Sequence, residues 1–147
     1  MKANSIITTD KPELIKGKNV LVVEDGPTVT HGGMAFGAGV LAAKKYGAKE
    51  IIDPRPHAVG SILKAYEDFK HLGSVLPAMG YSPVQTRELE MTINAADCDT
   101  VIAGTPIDLG RLLKLNKPVV RVRYRIEEID IKLEDVIDEW LHAKCVL

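Results

Sequence analysis

Val20-Leu21-Val22-Val23, followed by Glu24-Asp25 and the turn pair Gly26-Pro27, constrains this 147-residue chain more than any other stretch. The run is too short for a helix and too apolar for a strand with one wet face. It reads as a buried parallel strand. Small and polar residues follow, Thr28, Thr30, His31, Gly32 and Gly33, and a small-residue helix is expected over residues 34–46. Strand, glycine-rich loop and helix N-terminus in that order leave backbone N–H groups that can hold an anion.

The pattern then repeats. Short apolar runs at 50–53, 74–78, 100–103 and 119–124 alternate with helical periodicity at 58–70, 83–96 and, at the end, on the stripe Leu133, Val136, Ile137, Trp140 and Leu141. Such alternation predicts an α/β fold: a three-layer, Rossmann-like, doubly wound and mostly parallel sheet of five strands. Residues 1–18 read as an N-terminal extension or linker, in which 3–8 could be a strand, and residues 19–147 as a single domain. In such sheets ligands bind beyond the carboxyl ends of the strands. The unusual sequence sits there: EDGPTVTHGG, DPRPHA, PAMGYSP and AGTPID each follow a strand.

Composition narrows the function classes. A net charge of −1 gives no global field for nucleic acid or an anionic membrane. Cys98 and Cys145 form neither a CxxC pair nor a disulfide framework, so reduced thiols are expected. No apolar run reaches membrane-spanning length, and MKANSIITTDKPELIKGK lacks a signal-peptide core. The expectation is a cytoplasmic protein with no nucleic-acid or membrane partner, and homo-oligomerisation is left open.

Within the strand-end loops, Thr28 and Thr30 offer hydroxyls, Gly32 and Gly33 allow close backbone approach, and His31 can donate or exchange a proton. The bland alternative is a connector whose glycines only make turns. Asp53-Pro54-Arg55-Pro56-His57 is stiff, and Arg55 suits bidentate phosphate recognition, although a rigid turn with a solvated Arg fits equally. Glu24, Asp25 and Asp53 at neighbouring strand ends could hold Mg²⁺ beside a phosphate. Thr105 to Asp108 reads as a capping box, with Asp108 as the cap. Arg121, Arg123 and Arg125 share one face of the last strand. That face suits an edge strand or a docking surface for another domain. No GxxxxGK[ST] occurs, and Gly37-Ala38-Gly39-Val40-Leu41-Ala42 matches GxGxxA only inside the expected helix, where close helix–sheet packing explains it better than a dinucleotide does. VLVVED with a later Asp and Lys-Pro suggests a phosphorelay receiver, but Asp53 follows the second strand and Lys117-Pro118 precedes its strand, so the topology is wrong.

VLVVEDGPTVTHGGMAFGAG, DPRPHAVGSI, LPAMGYSPVQTRELEMTIN, GTPIDL and NKPVVRVRY occur in one order between residues 3 and 125. On these motifs the chain resembles the C-terminal portion of the cyclic 2,3-diphosphoglycerate synthetase and predicted-GTPase family. Members of that family are longer and carry a P-loop in the region this chain lacks. The resemblance implies ATP-dependent, or GTP-dependent, closure of a phosphoanhydride in a small phosphorylated metabolite. It implies Mg²⁺ and ATP or GTP held mainly outside this chain, by a P-loop domain or subunit. Thr28, Thr30, His31, Gly32, Gly33, Arg55 and His57, with Thr105 at the next strand end, would contact phosphate groups. The Arg121, Arg123 and Arg125 face would meet the nucleotide domain. Two other readings stay open. One is a regulatory module acting in trans on a P-loop partner. The other is a small self-contained enzyme using Asp25, His31 and Asp53 as acid–base and metal groups.

Overall fold

A computed structural model of the chain describes residues 2–145. Six strands form one mixed, mostly parallel sheet: β1 Ala3–Thr9, β2 Asn19–Asp25, β3 Glu50–Ile51, β4 Val75–Ala78, β5 Thr100–Gly104 and β6 Val119–Glu128. The helices are α1 Gly26–Val29, α2 Ala38–Lys45, α3 Gly60–Asp68, α4 Pro83–Ala95, α5 Leu109–Leu112 and α6 Leu133–Cys145. The expected five strands become six because residues 3–9 are a strand rather than a linker.

The chain divides into two compact units. The larger is Thr8–Arg123. At its centre β2 pairs in parallel with β5 along one edge, Val20 opposite Thr100 through Glu24 opposite Gly104. Its other edge is shared: β3 pairs with Asn19 and Val20, and β4 takes over from Val22 to Asp25. β6 lies beyond β5, with Val119 opposite Val101. Val20, Leu21, Val22 and Val23 are wholly buried, as are Val101, Ile102, Ala103 and Val120, so the apolar runs form the sheet's interior. Helix α2 packs on β2 and β5, while α3 packs on α4 and β4. Tyr66 of α3 ties helix to strand by donating its hydroxyl to the Val75 carbonyl at 2.6 Å.

The smaller unit holds the start of β1, the end of β6 and α6. Ile129 N–H donates to the Lys2 carbonyl at 3.0 Å. The α6 stripe is regular but uncovered: Leu133, Val136, Ile137, Trp140 and Leu141 are each 40–59% exposed.

Two local expectations change. The helix expected at 34–46 begins only at Ala38, because residues 30–37 extend the loop and the turn α1 occupies part of it. Asp108 does not cap α5. Its carboxylate instead accepts from Arg121 Nη1 at 3.2 Å and lies 3.7 Å from Arg111 Nε.

Candidate functional site at the strand ends

The carboxyl ends of β2, β4 and β5 and the loops that leave them form the candidate site. Gly26 presses against the Ala78 carbonyl and Met79, where no Cβ would fit, so the loops after β2 and β4 touch. Asp25 Oδ2 accepts from Thr28 Oγ1 at 2.9 Å, and the buried Thr30 Oγ1 donates to the Gly26 carbonyl at 2.7 Å. Gly32 N–H donates to Pro27 O at 2.9 Å and Gly33 N–H to Thr30 O at 3.1 Å. A Cβ on Gly32 would collide with the Thr28 carbonyl, and Gly33 adopts φ +64°. Both glycines therefore serve the turn, and these two backbone donors are engaged within it.

The α2 N-terminus is occupied as well. The carboxylate of Glu24, 1% exposed, accepts from the N–H groups of Gly37 (3.0 Å), Gly39 (3.2 Å) and Val40 (2.9 Å). Glycine is required around it. A Cβ on Gly37 would sit 2.7 Å from Glu24 Oε2, and one on Gly104 would meet that oxygen and the Gly39 nitrogen at 2.7 Å. Burial pushes the Glu24 carboxyl above the ordinary glutamate range, the three N–H donors pull against that, and neighbouring Asp25 pushes the same way as burial. Gly39 also lies against β2, where a Cβ would be 2.6 Å from Val22 Cγ1. The GxGxxA stretch is thus a packing device.

The α3 N-terminus is filled in the same manner. Glu88 of α4 accepts from Ser61 N–H at 3.0 Å and Ser61 Oγ at 2.5 Å, which hold its carboxyl below the usual range. Ser82 caps α4 through Gln85 N–H at 3.3 Å, with Pro83 at the first helical position.

The remaining anticipated residues are placed as follows. Asp53 and Arg55 form a fork, with Nη2 to Oδ2 at 2.6 Å and Nε 2.9 Å from both oxygens. The Arg55 side chain, donating to Asp53, holds that carboxyl below its ordinary value. Ile52 N–H bonds Val20 O, so Asp53 leaves the sheet near the level of Val22. That is three residues, roughly 10 Å, below Asp25 along the strand. No group of three or more His, Cys, Asp or Glu fit to hold a metal ion occurs among the described residues. Asp25 is engaged by Thr28 and Asp53 by Arg55. His57 is half-buried on the turn Arg55–His57. Arg121 is half-buried and also donates to Pro106 O at 3.2 Å, while Arg123 and Arg125 are exposed.

Five contacts were not anticipated. Thr105, buried, shares a hydrogen bond with Tyr81 Oη at 3.1 Å and accepts from Ile107 N–H at 3.4 Å. Tyr81 links the loops after β4 and β5. The exposed His31 ring meets Phe69 edge-on at 5.3 Å, and Phe69 meets His71 at 6.1 Å. His71 Nε2 lies 2.6 Å from the Val29 carbonyl, tying the end of α3 to the first loop. The aromatic residue in Gly80-Tyr81-Ser82-Pro83 was a signal for the first of these; nothing local in the sequence pairs His31 with Phe69.

These observations define an α/β protein with its hydroxyl, imidazole and carboxylate groups gathered at the carboxyl edge of a mostly parallel sheet. The chain is similar to a protein named as a synthetase. The chain is 64% identical over 141 residues to a curated protein, "Arginine synthetase ArcE" of Thermococcus kodakarensis. The alignment takes in 95% of this chain and 32% of that protein, so the chain spans about a third of the relative's length. No family model matches the chain, and no solved structure does. No helix among the described residues is long and apolar enough to cross a membrane.

Proposed function

We propose that this chain is the acceptor-side domain of a larger nucleotide-dependent synthetase. The observation that carries the proposal is the 64% identity along 95% of the chain to a protein named as an arginine synthetase. On this reading the fold is a three-layer, doubly wound, Rossmann-like domain forming the C-terminal part of the enzyme. ATP or GTP, with Mg²⁺, is bound mainly by a P-loop region outside these residues. The lack of a P-loop here and the engagement of Asp25 and Asp53 support that division. Phosphoryl transfer is chiefly positioning and charge neutralisation. The chain's part is a wall of side chains: Thr28 and His31 on the first loop, Thr105 beside Tyr81, and Arg55 and His57 on the β3 turn. Arg55 would take a phosphate or carboxylate by exchanging it for Asp53, one anion for another in the same fork. The relative's name favours arginine as the product, formed by a nucleotide-driven ligation.

A second reading keeps the same architecture with a different acceptor. The ordered motifs between residues 3 and 125 resemble cyclic 2,3-diphosphoglycerate synthetases and predicted GTPases, which favours a phosphorylated acceptor and phosphoanhydride closure. One experiment separates them. The full-length protein is incubated with Mg²⁺ and ATP or GTP, and nucleotide turnover is followed with arginine or 2,3-diphosphoglycerate present as product or substrate. Arginine-dependent exchange of phosphate into the nucleotide supports the first reading. Turnover dependent on 2,3-diphosphoglycerate supports the second. Loss of either in His31→Ala at unchanged fold supports the site, and absence of both refutes the ligase assignment.

A further inference from the structure

Glu24 lies at the entrance of the first loop, and its partners lie at the exit. The carboxylate reaches from the penultimate residue of β2 to the N–H groups of Gly37, Gly39 and Val40. A local cap at residue 37 would satisfy α2 equally well. A glutamate 13 residues upstream does something more: it closes the loop on itself. The closure is built from several sides. Gly104 of β5 leaves room for the carboxylate, Gly39 stands against Val22, and Pro77 of β4 is opposite Glu24 on the far edge. The neighbouring charge, Asp25, is of the same sign, and the side chain is 1% exposed. A buried carboxylate beside a second carboxylate is a poor choice for stability alone.

We propose that Glu24 is the positioning residue of the loop, an internal anion at the α2 N-terminus that clamps residues 24–40 and thereby sets Thr28 and His31 at the strand ends. This rests on the proposed role of those side chains in ligand binding. It also places any bound phosphate away from the α2 amides, which the protein's own carboxylate fills.

The test uses the full chain with Glu24→Ala, which opens a carboxylate-sized space, and Glu24→Gln, which keeps the volume and removes the charge. Amide exchange at Gly37, Gly39 and Val40 reads the clamp, and titration with inorganic phosphate reads the site. In Glu24→Ala we expect exchange and the phosphate dissociation constant to rise by at least about tenfold. Added formate should restore both, saturably, because it can occupy the vacated place. Glu24→Gln should show the same losses without formate rescue. Gly104→Ala, which crowds the intact carboxylate, should loosen the same amides, and it serves if Glu24→Ala does not fold. Unchanged exchange at Gly39 and Val40 in folded Glu24→Gln or Gly104→Ala overturns the clamp. So does a phosphate-affinity loss in folded Glu24→Ala that formate leaves untouched. Wild-type protein that binds no phosphate overturns the ligand reading, while the exchange measurements still decide the clamp.

Discussion

Gly39→Ala tests whether the close approach of α2 to the sheet is rigid. An alanine in a helix is favoured over glycine by about 0.5–1 kcal/mol, so on propensity alone the substitution stabilises. The space argues otherwise. The new methyl would lie 2.6 Å from Val22 Cγ1 and 3.1 Å from Glu24 Oε1. Val22 is wholly buried in a strand paired on both edges, with Val75 on one side and Ile102 on the other. Glu24 is held by three N–H donors. Neither neighbour is the free end of a flexible side chain. Overpacking of this kind costs about 1–3 kcal/mol, and displacing the carboxylate weakens charge-assisted bonds as well. The net expectation is a loss of about 1–2 kcal/mol, which for a chain of this size lowers the melting temperature by roughly 3–6 °C. Gly110→Ala is the control. Its methyl would meet only Asp108 Oδ1 at 3.5 Å and Val119 Cβ at 3.9 Å, both ordinary contacts. Gly110→Ala should stabilise by up to about 1 kcal/mol. Urea unfolding of both variants gives the sign directly. If Gly39→Ala gains stability as Gly110→Ala does, α2 yields freely and the packing argument fails.

Three further outcomes follow from single contacts. Tyr66→Phe leaves the Val75 carbonyl without its 2.6 Å donor and should destabilise by about 1–2 kcal/mol in urea unfolding at unchanged slope. Asp53, held below its ordinary value by Arg55, contributes stability that is present above the unfolded value of 3.8 and lost as pH falls through the lower folded value. The pair is largely solvated, so Asp53→Asn should cost no more than about 1 kcal/mol at neutral pH, and the difference should vanish in acid unfolding curves. Burial pushes the Cys98 thiol above its usual range, so in a Cys145→Ser background it should react with iodoacetamide more slowly at pH 8 than free cysteine does.

Strands β2, β4 and β5 were legible because each is a short apolar run at the sheet's interior, and Val20-Leu21-Val22-Val23 is completely buried as its composition requires. Ser82-Pro83 marked the start of α4 for an equally local reason. What the sequence concealed was non-local. Residues 3–9 become a strand through pairing with β6, far along the chain. The start of α2 moved to Ala38 because of a carboxylate on β2. Asp108 carries the marks of a cap, yet Arg121 of β6 competes for it and wins. His31 gained a neighbour from the end of α3 that no spacing announces.

The anion argument shows the same limit in its sharpest form. A glycine-rich loop before a helix signals free N–H donors, and that inference is sound for the donors themselves. It does not say who accepts. Here Glu24 takes those of α2, Glu88 takes Ser61 at α3, and Ser82 takes one at α4. The partial positive charge at these three helix starts is answered from within the protein. The proposed ligand must therefore be held chiefly by side chains, Thr28, His31, Arg55 and His57, and by whatever faces this edge from the rest of the synthetase. Side-chain recognition implies a different sensitivity from a backbone cradle. His31→Ala combined with Arg55→Ala should abolish phosphate binding outright, where a cradle of amides would lose only a part. Residual affinity of the double variant within about threefold of wild type would return the anion to the backbone and refute this account.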